Sequence, residues 1–270
     1  MQRLREIAPG VLVATSGYAT TTTTVVAAGD GGCLVIDPAV TAADLAALVG
    51  DLASAGLRPR AGFATHPHWD HVLWTRALGD VPRYATGRAA AAAGRERDGM
   101  ASEFAESGTA GGHELDLFGR LVALPAGAGR IPWDGPAAHL VVHDGHAPGH
   151  AAVFLPGTGV LVAGDMLSDI EMPILDTAAA DPLGDYRTGL RLLAAVDGVR
   201  WLVPGHGHVG DPAEFRRRVR SDMGYLDLLE AGEPFDDPRT GTAEWLRAWH
   251  DEQRQVIATP RKGHRPRGRW

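Results

Sequence analysis

His66-Pro67-His68-Trp69-Asp70-His71 packs four side chains able to hold a metal ion into six residues. Neutral imidazoles and a carboxylate are costly to bury without partners, so core packing does not account for such a run. Gly62 to Thr65, just before it, reads as a strand, and Val72 to Leu78, just after it, as a helix closed by Gly79. The run therefore stands at the C-terminal edge of a strand. In an extended loop, residues i and i+2 face the same way, so His66 and His68 can close on one ion while the turn directs Asp70 and His71 toward a second. Two ions need further ligands, and three places have the right form: Gly149-His150, Gly164-Asp165 and Gly205-His206, each beside a predicted strand. Glycine lets the backbone turn tightly next to an ion.

Working outward toward the N-terminus, β-branched runs at Val11 to Ala14, Thr20 to Ala28 and Leu34 to Ile36 are separated by turns such as Gly29-Asp30-Gly31-Gly32 and read as antiparallel strands. Thr41 has the form of an N-cap, with Asp44 three residues on, for a helix over about 42–55. Toward the C-terminus, residues 87–107 are Ala-rich with interspersed charges and predict one or two exposed helices, and 125–136 is a Gly/Pro loop carrying Trp133. Strands return at Leu140 to His143, Ala151 to Leu155, Val160 to Ala163 and Trp201 to Val203. Asp181-Pro182 starts a helix through about Val196, and two more helices are predicted over 212–230 and 242–257.

Composition narrows the functions available. A chain of 270 residues, 44% hydrophobic, is long enough for one large core. With 26 basic and 33 acidic residues the net charge is −7, which supplies no cationic face for a nucleic acid. A small-molecule substrate is expected instead. Cys33 lies within the apolar run Cys33-Leu34-Val35-Ile36 and reads as a buried hydrophobe, and a single cysteine excludes an internal disulfide. The start of the chain lacks the apolar stretch of a signal peptide, and no later run reaches the roughly 18 apolar residues of a membrane span, so a cytoplasmic protein without a membrane partner is expected. Arg261, Lys262, Arg265, Arg267 and Arg269 form a basic tail that reads as a solvated terminus.

The order His-x-His-x-Asp-His, then His150, Asp165 and His206, resembles the metallo-β-lactamase-fold hydrolase superfamily in its dinuclear, glyoxalase II-like form, over about Val11 to His208. That resemblance implies an α+β fold, a four-layer αβ/βα sandwich with the metals at one edge and the helices after Gly210 covering part of that edge. It implies a catalytic domain over 1–210 with 86–136 as a pocket-shaping insertion, C-terminal helices over 211–257 packed on it, and a basic tail over 258–270. By the same resemblance His66, His68 and His150 bind the first metal, Asp70, His71 and His206 the second, and Asp165 bridges both. Asp37 supports a ligand histidine from behind, and His146 resembles a common histidine of glyoxalase-like members and belongs to the same outer layer. Trp69 and Tyr18 are candidates to contact substrate.

Two ions roughly 3.5–4 Å apart share a water whose pKa falls toward about 7, which implies a bridging hydroxide as nucleophile. Asp70 and Asp165 would fix the position and charge of the metal pair. The expected reaction is hydrolysis of a small ester, thioester or lactone. Asp165 and the missing signal peptide argue against a secreted β-lactamase, and the basic residues that grip glutathione in glyoxalase II are not found in the C-terminal part. The alternatives are a mononuclear-iron persulfide (sulfur) dioxygenase and a catalytically silent scaffold. An all-imidazole and carboxylate set suits zinc, iron or manganese, and zinc is the default.

Overall fold

A computed structural model describes residues 3–259, so the basic tail lies, from residue 260 on, outside the described residues. Among the described residues the elements run β1 (Arg5–Ala8), β2 (Val11–Thr15), β3 (Thr22–Ala27), β4 (Gly32–Ile36), α1 (Ala42–Ser54), β5 (Arg58–Phe63), β6 (Arg83–Ala85), α2 (Gly87–Arg95), α3 (Arg97–Glu106), β7 (Val122–Ala123), β8 (His139–Val142), β9 (Ala151–Leu155), β10 (Val160–Gly164), α4 (Pro182–Ala194), β11 (Trp201–Pro204), α5 (Pro212–Ala231) and α6 (Glu244–Ala258). They form a seven-stranded sheet in the order β1 to β7 and a four-stranded sheet in the order β11-β10-β9-β8. Both are mixed: β1 to β4 pair antiparallel and β4 to β7 parallel, while β10 is antiparallel to β9 and parallel to β11.

Strand periodicity sorts the side chains into layers. On β4, Leu34 and Ile36 face the second sheet while Cys33 and Val35 face α1; on β10, Val160 and Val162 face the first sheet while Leu161 and Ala163 face α4 and α5. The core between the sheets joins Val13, Val26 and Phe63 to Val153, Leu155 and Val203. Outside it, Leu45, Leu48 and Leu52 of α1 cover one sheet, and Tyr186, Leu190, Phe215 and Leu226 of α4 and α5 cover the other. This is the four-layer sandwich expected from the sequence. Burial leaves Cys33 fully enclosed and pushes its thiol up to about 12, which suits packing and not reactivity.

One predicted element changes form, and two others differ in burial. Only Arg76–Leu78 of the predicted helix at 72–78 is helical, as a single 3-10 turn. Val72, Leu73 and Trp74 are buried one after another, which irregular chain achieves and a one-faced helix does not, and the Trp74 indole donates to Gly79 O at 3.0 Å. The Ala-rich helices α2 and α3 are not wholly exposed, because Ala89, Ala92, Ala93, Met100 and Phe104 are buried. The short strands β1, β6 and β7 were not anticipated from the sequence.

Two buried arginines fasten the C-terminal helices to the loops beside the second sheet. Arg218 of α5 donates to Leu167 O and His208 O, at 3.2 and 3.0 Å. Arg239, just before α6, donates to Asp222 of α5 at 2.6 Å and to Asp237. Burial pushes the Asp222 carboxyl up to about 6, with Arg239 pulling it back. Removing one partner of a buried ion pair leaves an uncompensated charge, so Arg239→Ala is expected to cost about 3–5 kcal/mol in urea unfolding, more than Asp222→Asn, which removes the charge. Equal stability of Arg239→Ala and the parent would show that the pair carries no such role.

Candidate metal centre

The strand ends converge where the two sheets touch. Thr22 N donates to Gly205 O at 2.7 Å and Ala151 N to Thr65 O at 2.8 Å, so backbone bonds tie the sheets together on either side of one edge. Into it project the loop after β5 with His66 to His71, the turn between β8 and β9 with His146, and the residues directly after β10 and β11, Asp165 and His206. Two groups form: His66, His68, His146 and Asp165, and Asp70, His71 and His206, each with its ligand atoms within 4.8 Å of one another. Tight backbone passage makes the approach possible. A Cβ at Gly205 would overlap the Asp165 carboxylate, and one at Gly164, whose φ is +56°, would overlap the His150 ring.

The imidazoles are held from behind. His146 Nδ1 lies 2.8 Å from Ile174 O, His206 Nδ1 3.0 Å from Ala19 O, His66 Nδ1 3.0 Å from Thr65 Oγ1, and His71 Nδ1 3.1 Å from Asp37 Oδ2. A ring nitrogen that faces a carbonyl or carboxylate carries the proton, which leaves Nε2 as a lone pair aimed into the site. Those Nε2 atoms gather on Asp165. Its Oδ2 is 3.4 Å from His66, 3.5 Å from His146 and 3.3 Å from His206, and its Oδ1 is 3.2 Å from His71. Asp70 Oδ2 is 3.1 Å from His206 Nε2. His66 Nε2 and Asp165 Oδ1 are buried without a hydrogen-bond partner, and His71 Nε2 faces His206 Nε2 at 3.4 Å. Converging lone pairs with orphaned buried atoms fit a cation between them.

The charge pattern has two halves. Burial, with neighbouring histidines adding to it, holds His66 well below the ordinary histidine range, and burial likewise lowers His68 and brings His146 to about 4. These rings are neutral, as ligands must be. His71 and His206 go the other way: burial opposes protonation, but Asp165 together with Asp70 and Asp37 for His71, and with Glu171 for His206, raises both well above 6.5, so a cation bound between them would have to displace a proton to gain their lone pairs. Asp70 is held below the usual carboxylate range by His71 and His206 against its own burial.

The histidine of the first group is a correction to the sequence reading. His146, assigned to the outer layer, stands in the site, whereas His150, assigned to the first metal, lies behind it, stacked between His66 at 5.2 Å and His143 at 4.5 Å. The backbone decides this, because His150 directly precedes β9 and its fully buried ring is drawn under the loop, while His146 sits in the preceding turn beside Gly145. Trp69 is placed by packing: it stacks on Phe104 at 5.1 Å and meets Tyr18 edge-on at 5.6 Å. Neither lines the cavity onto which His68 and His146 open, so the expected substrate contacts are not made there. Asp37 lies beside His71, its Oδ2 3.1 Å from His71 Nδ1, and accepts from Thr65 N at 2.8 Å and Thr65 Oγ1 at 2.7 Å.

Three residues escaped the sequence reading. Thr65 joins Asp37 to His66. His143 had a signal: in the β8–β9 hairpin Val142 pairs with Ala151, which puts His143 across from His150. Glu171 had none; it is buried, 3.9 Å from His206, and burial pushes its carboxyl up to about 7.

With fold and site in view, the chain belongs to the metallo-beta-lactamase superfamily, whose family model matches residues 17–206. Among solved structures it is similar to a metallo-beta-lactamase family protein from Thermus thermophilus, 25% identical over 83% of this chain and 82% of that one, with a TM-score of 0.62. A beta-lactamase domain protein from Burkholderia ambifaria is 19% identical over 85% and 76%, with a TM-score of 0.63. A stereoselective inverting sec-alkylsulfatase from a Pseudomonas species is 18% identical over 95% of this chain and 50% of that one, with a TM-score of 0.70. No curated protein matches the chain. No helix among the described residues is long and apolar enough to cross a membrane.

Loss of the carboxylate beneath His71 should loosen the site without emptying it. If the cluster takes up added zinc, Asp37→Ala is expected to weaken that uptake about 10–100-fold in a chelator competition titration, and an unchanged affinity would show that His71 needs no such support.

Proposed function

We propose that the chain is a metal-dependent hydrolase that holds two divalent ions, zinc by default, and acts on a small ester, thioester or lactone. The observation that carries this reading is the Asp165 carboxylate, shared between two groups whose imidazoles turn Nε2 toward it. His66, His68 and His146 would hold one ion, Asp70, His71 and His206 the other, with Asp165 between them. When bound, such a pair supplies a water deprotonated near neutral pH and a Lewis acid for the substrate carbonyl.

The chain itself supplies position and charge. Asp37, Thr65, Ile174 O and Ala19 O fix the ring orientations, and Asp70 and Asp165 bring two negative charges to offset two cations. A cavity of about 340 Å³ whose lining includes His68 and His146 offers substrate an approach. The alkylsulfatase likeness would suggest a sulfate ester, but among the described residues no arginine or lysine lines that cavity. The mononuclear-iron alternative leaves Asp70, His71 and His206 without a task, and the silent scaffold leaves both groups without one.

Metal content of the untreated protein by inductively coupled plasma mass spectrometry tests the reading. About two equivalents of zinc, or of zinc mixed with iron or manganese, are expected; one iron per chain would move the assignment to the dioxygenase, and no metal after reconstitution would leave the scaffold. In the same measurement His146→Ala should lose more metal than His150→Ala, and the reverse order would restore His150 to the first set. His68→Ala and Asp165→Ala should abolish metal-dependent ester hydrolysis with an unchanged circular dichroism spectrum, and activity in either purified variant would defeat the assignment.

A further inference from the structure

The cavity above His68 and His146 has walls of one sign. The segment after Glu171 forms one wall with Ile174 and Asp176, α6 forms another with Trp249 and Glu252, and Glu96 stands between α2 and α3. Among the described residues, three carboxylates thus line about 340 Å³ in which no lysine or arginine takes part. Asp176 accepts from Ala178 N at 3.0 Å and Glu252 from Thr177 Oγ1 at 3.2 Å, so neither carboxylate is neutralised by a cation in those contacts. Trp249 is 42% exposed and meets Trp245 edge-on at 5.9 Å.

We infer that this cavity selects substrates whose remote part, away from the scissile carbonyl, is cationic, such as a quaternary ammonium or protonated amine, and rejects acyl compounds with an anionic remote part. A carbonyl placed at His68 and His146 leaves the remainder of the molecule among the other lining residues, Trp249, Asp176 and Glu252 included. The face of an indole attracts a cation through its quadrupole, and the carboxylates add to that attraction. An anionic tail meets three like charges there and, among the described residues, no cationic side chain, and repulsion of this kind specifies as strongly as attraction. Carrier thioesters bearing several carboxylates or phosphates are thereby disfavoured, while the amine end of an aminoacyl ester or lactone is accepted.

The inference rests on the hydrolase reading for the reaction but not for the binding, and the experiment separates the two. Binding of benzyltrimethylammonium and of benzenesulfonate to the full-length zinc-loaded protein is measured by isothermal titration calorimetry. Beside it, zinc-loaded enzyme is assayed on a matched series of acetate esters that carry a trimethylammonium, a methyl or a sulfonate group two methylenes from the ester. The cation is expected to bind at least about tenfold more tightly than the anion, with kcat/KM in the same order. Glu96→Gln combined with Asp176→Asn and Glu252→Gln should erase most of that ratio at unchanged zinc content, although it removes only three of the chain's 33 acidic residues, so the net charge of −7 is not what drives it. Trp249→Ala should reduce it in part. Equal binding, a preference for the sulfonate, or a ratio that survives in the triple variant would overturn the inference. A cation preference in binding with no ester hydrolysed would defeat the hydrolase reading and leave the cavity's charge selection standing.

Discussion

Asp165 is a carboxylate with four imidazoles around it: His66, His71, His146 and His206 each bring a ring nitrogen within 3.5 Å of one of its oxygens. Burying such a charge is expensive unless every lone pair is answered, and Asp165 Oδ1 is buried without a hydrogen-bond partner, which suits a carboxylate answered by a cation. The carboxylate sits immediately after β10, in the second sheet, while His66 and His71 follow β5 in the first. Neither sheet alone can assemble the site. Backbone bonds from Ala151 to Thr65 and from Thr22 to Gly205 close the seam between the sheets and set how far apart the two halves stand.

Support then spreads outward in shells of decreasing polarity. Behind the rings are Thr65, Asp37 and two carbonyl oxygens; behind those, the stacked His143 and His150; behind those, the apolar layers against α1 and α4. The order follows from desolvation, since each polar group needs a partner one step closer to the hydrophobic interior. His150 is the exception: both ring nitrogens lie in a fully buried position without a hydrogen-bond partner, and burial together with His143, His66 and His146 keeps the ring neutral.

Much of this was legible in the sequence, because the strongest signals were local. Four ligand-type residues in six, the caps Thr41 and Asp181, and the apolar runs that form β4 and β10 each need only neighbouring residues to be read. The choice between His146 and His150 was not local. Both follow a glycine, and only the point at which β9 begins, together with the carbonyl of Ile174 twenty-eight residues on, turns one ring into the site and the other behind it. The acidic cavity wall was invisible for the same reason, since Glu96, Asp176 and Glu252 come from three distant segments. β6 and β7, three and two residues long, are too short for any periodicity to show.

The last helix has two duties. Gln253 of α6 accepts from Leu175 N at 2.6 Å and donates to Pro173 O and Tyr225 Oη, which steadies the segment whose Ile174 carbonyl orients His146. Beside it on the cavity wall stand the more exposed Glu252 and, one turn earlier, Trp249. A helix built this way is an exchangeable faceplate. Its inner residues keep the reactive centre in register while its outer ones are free to drift, so a lineage can acquire a new substrate by altering two or three exposed positions and leave the chemistry beneath them untouched.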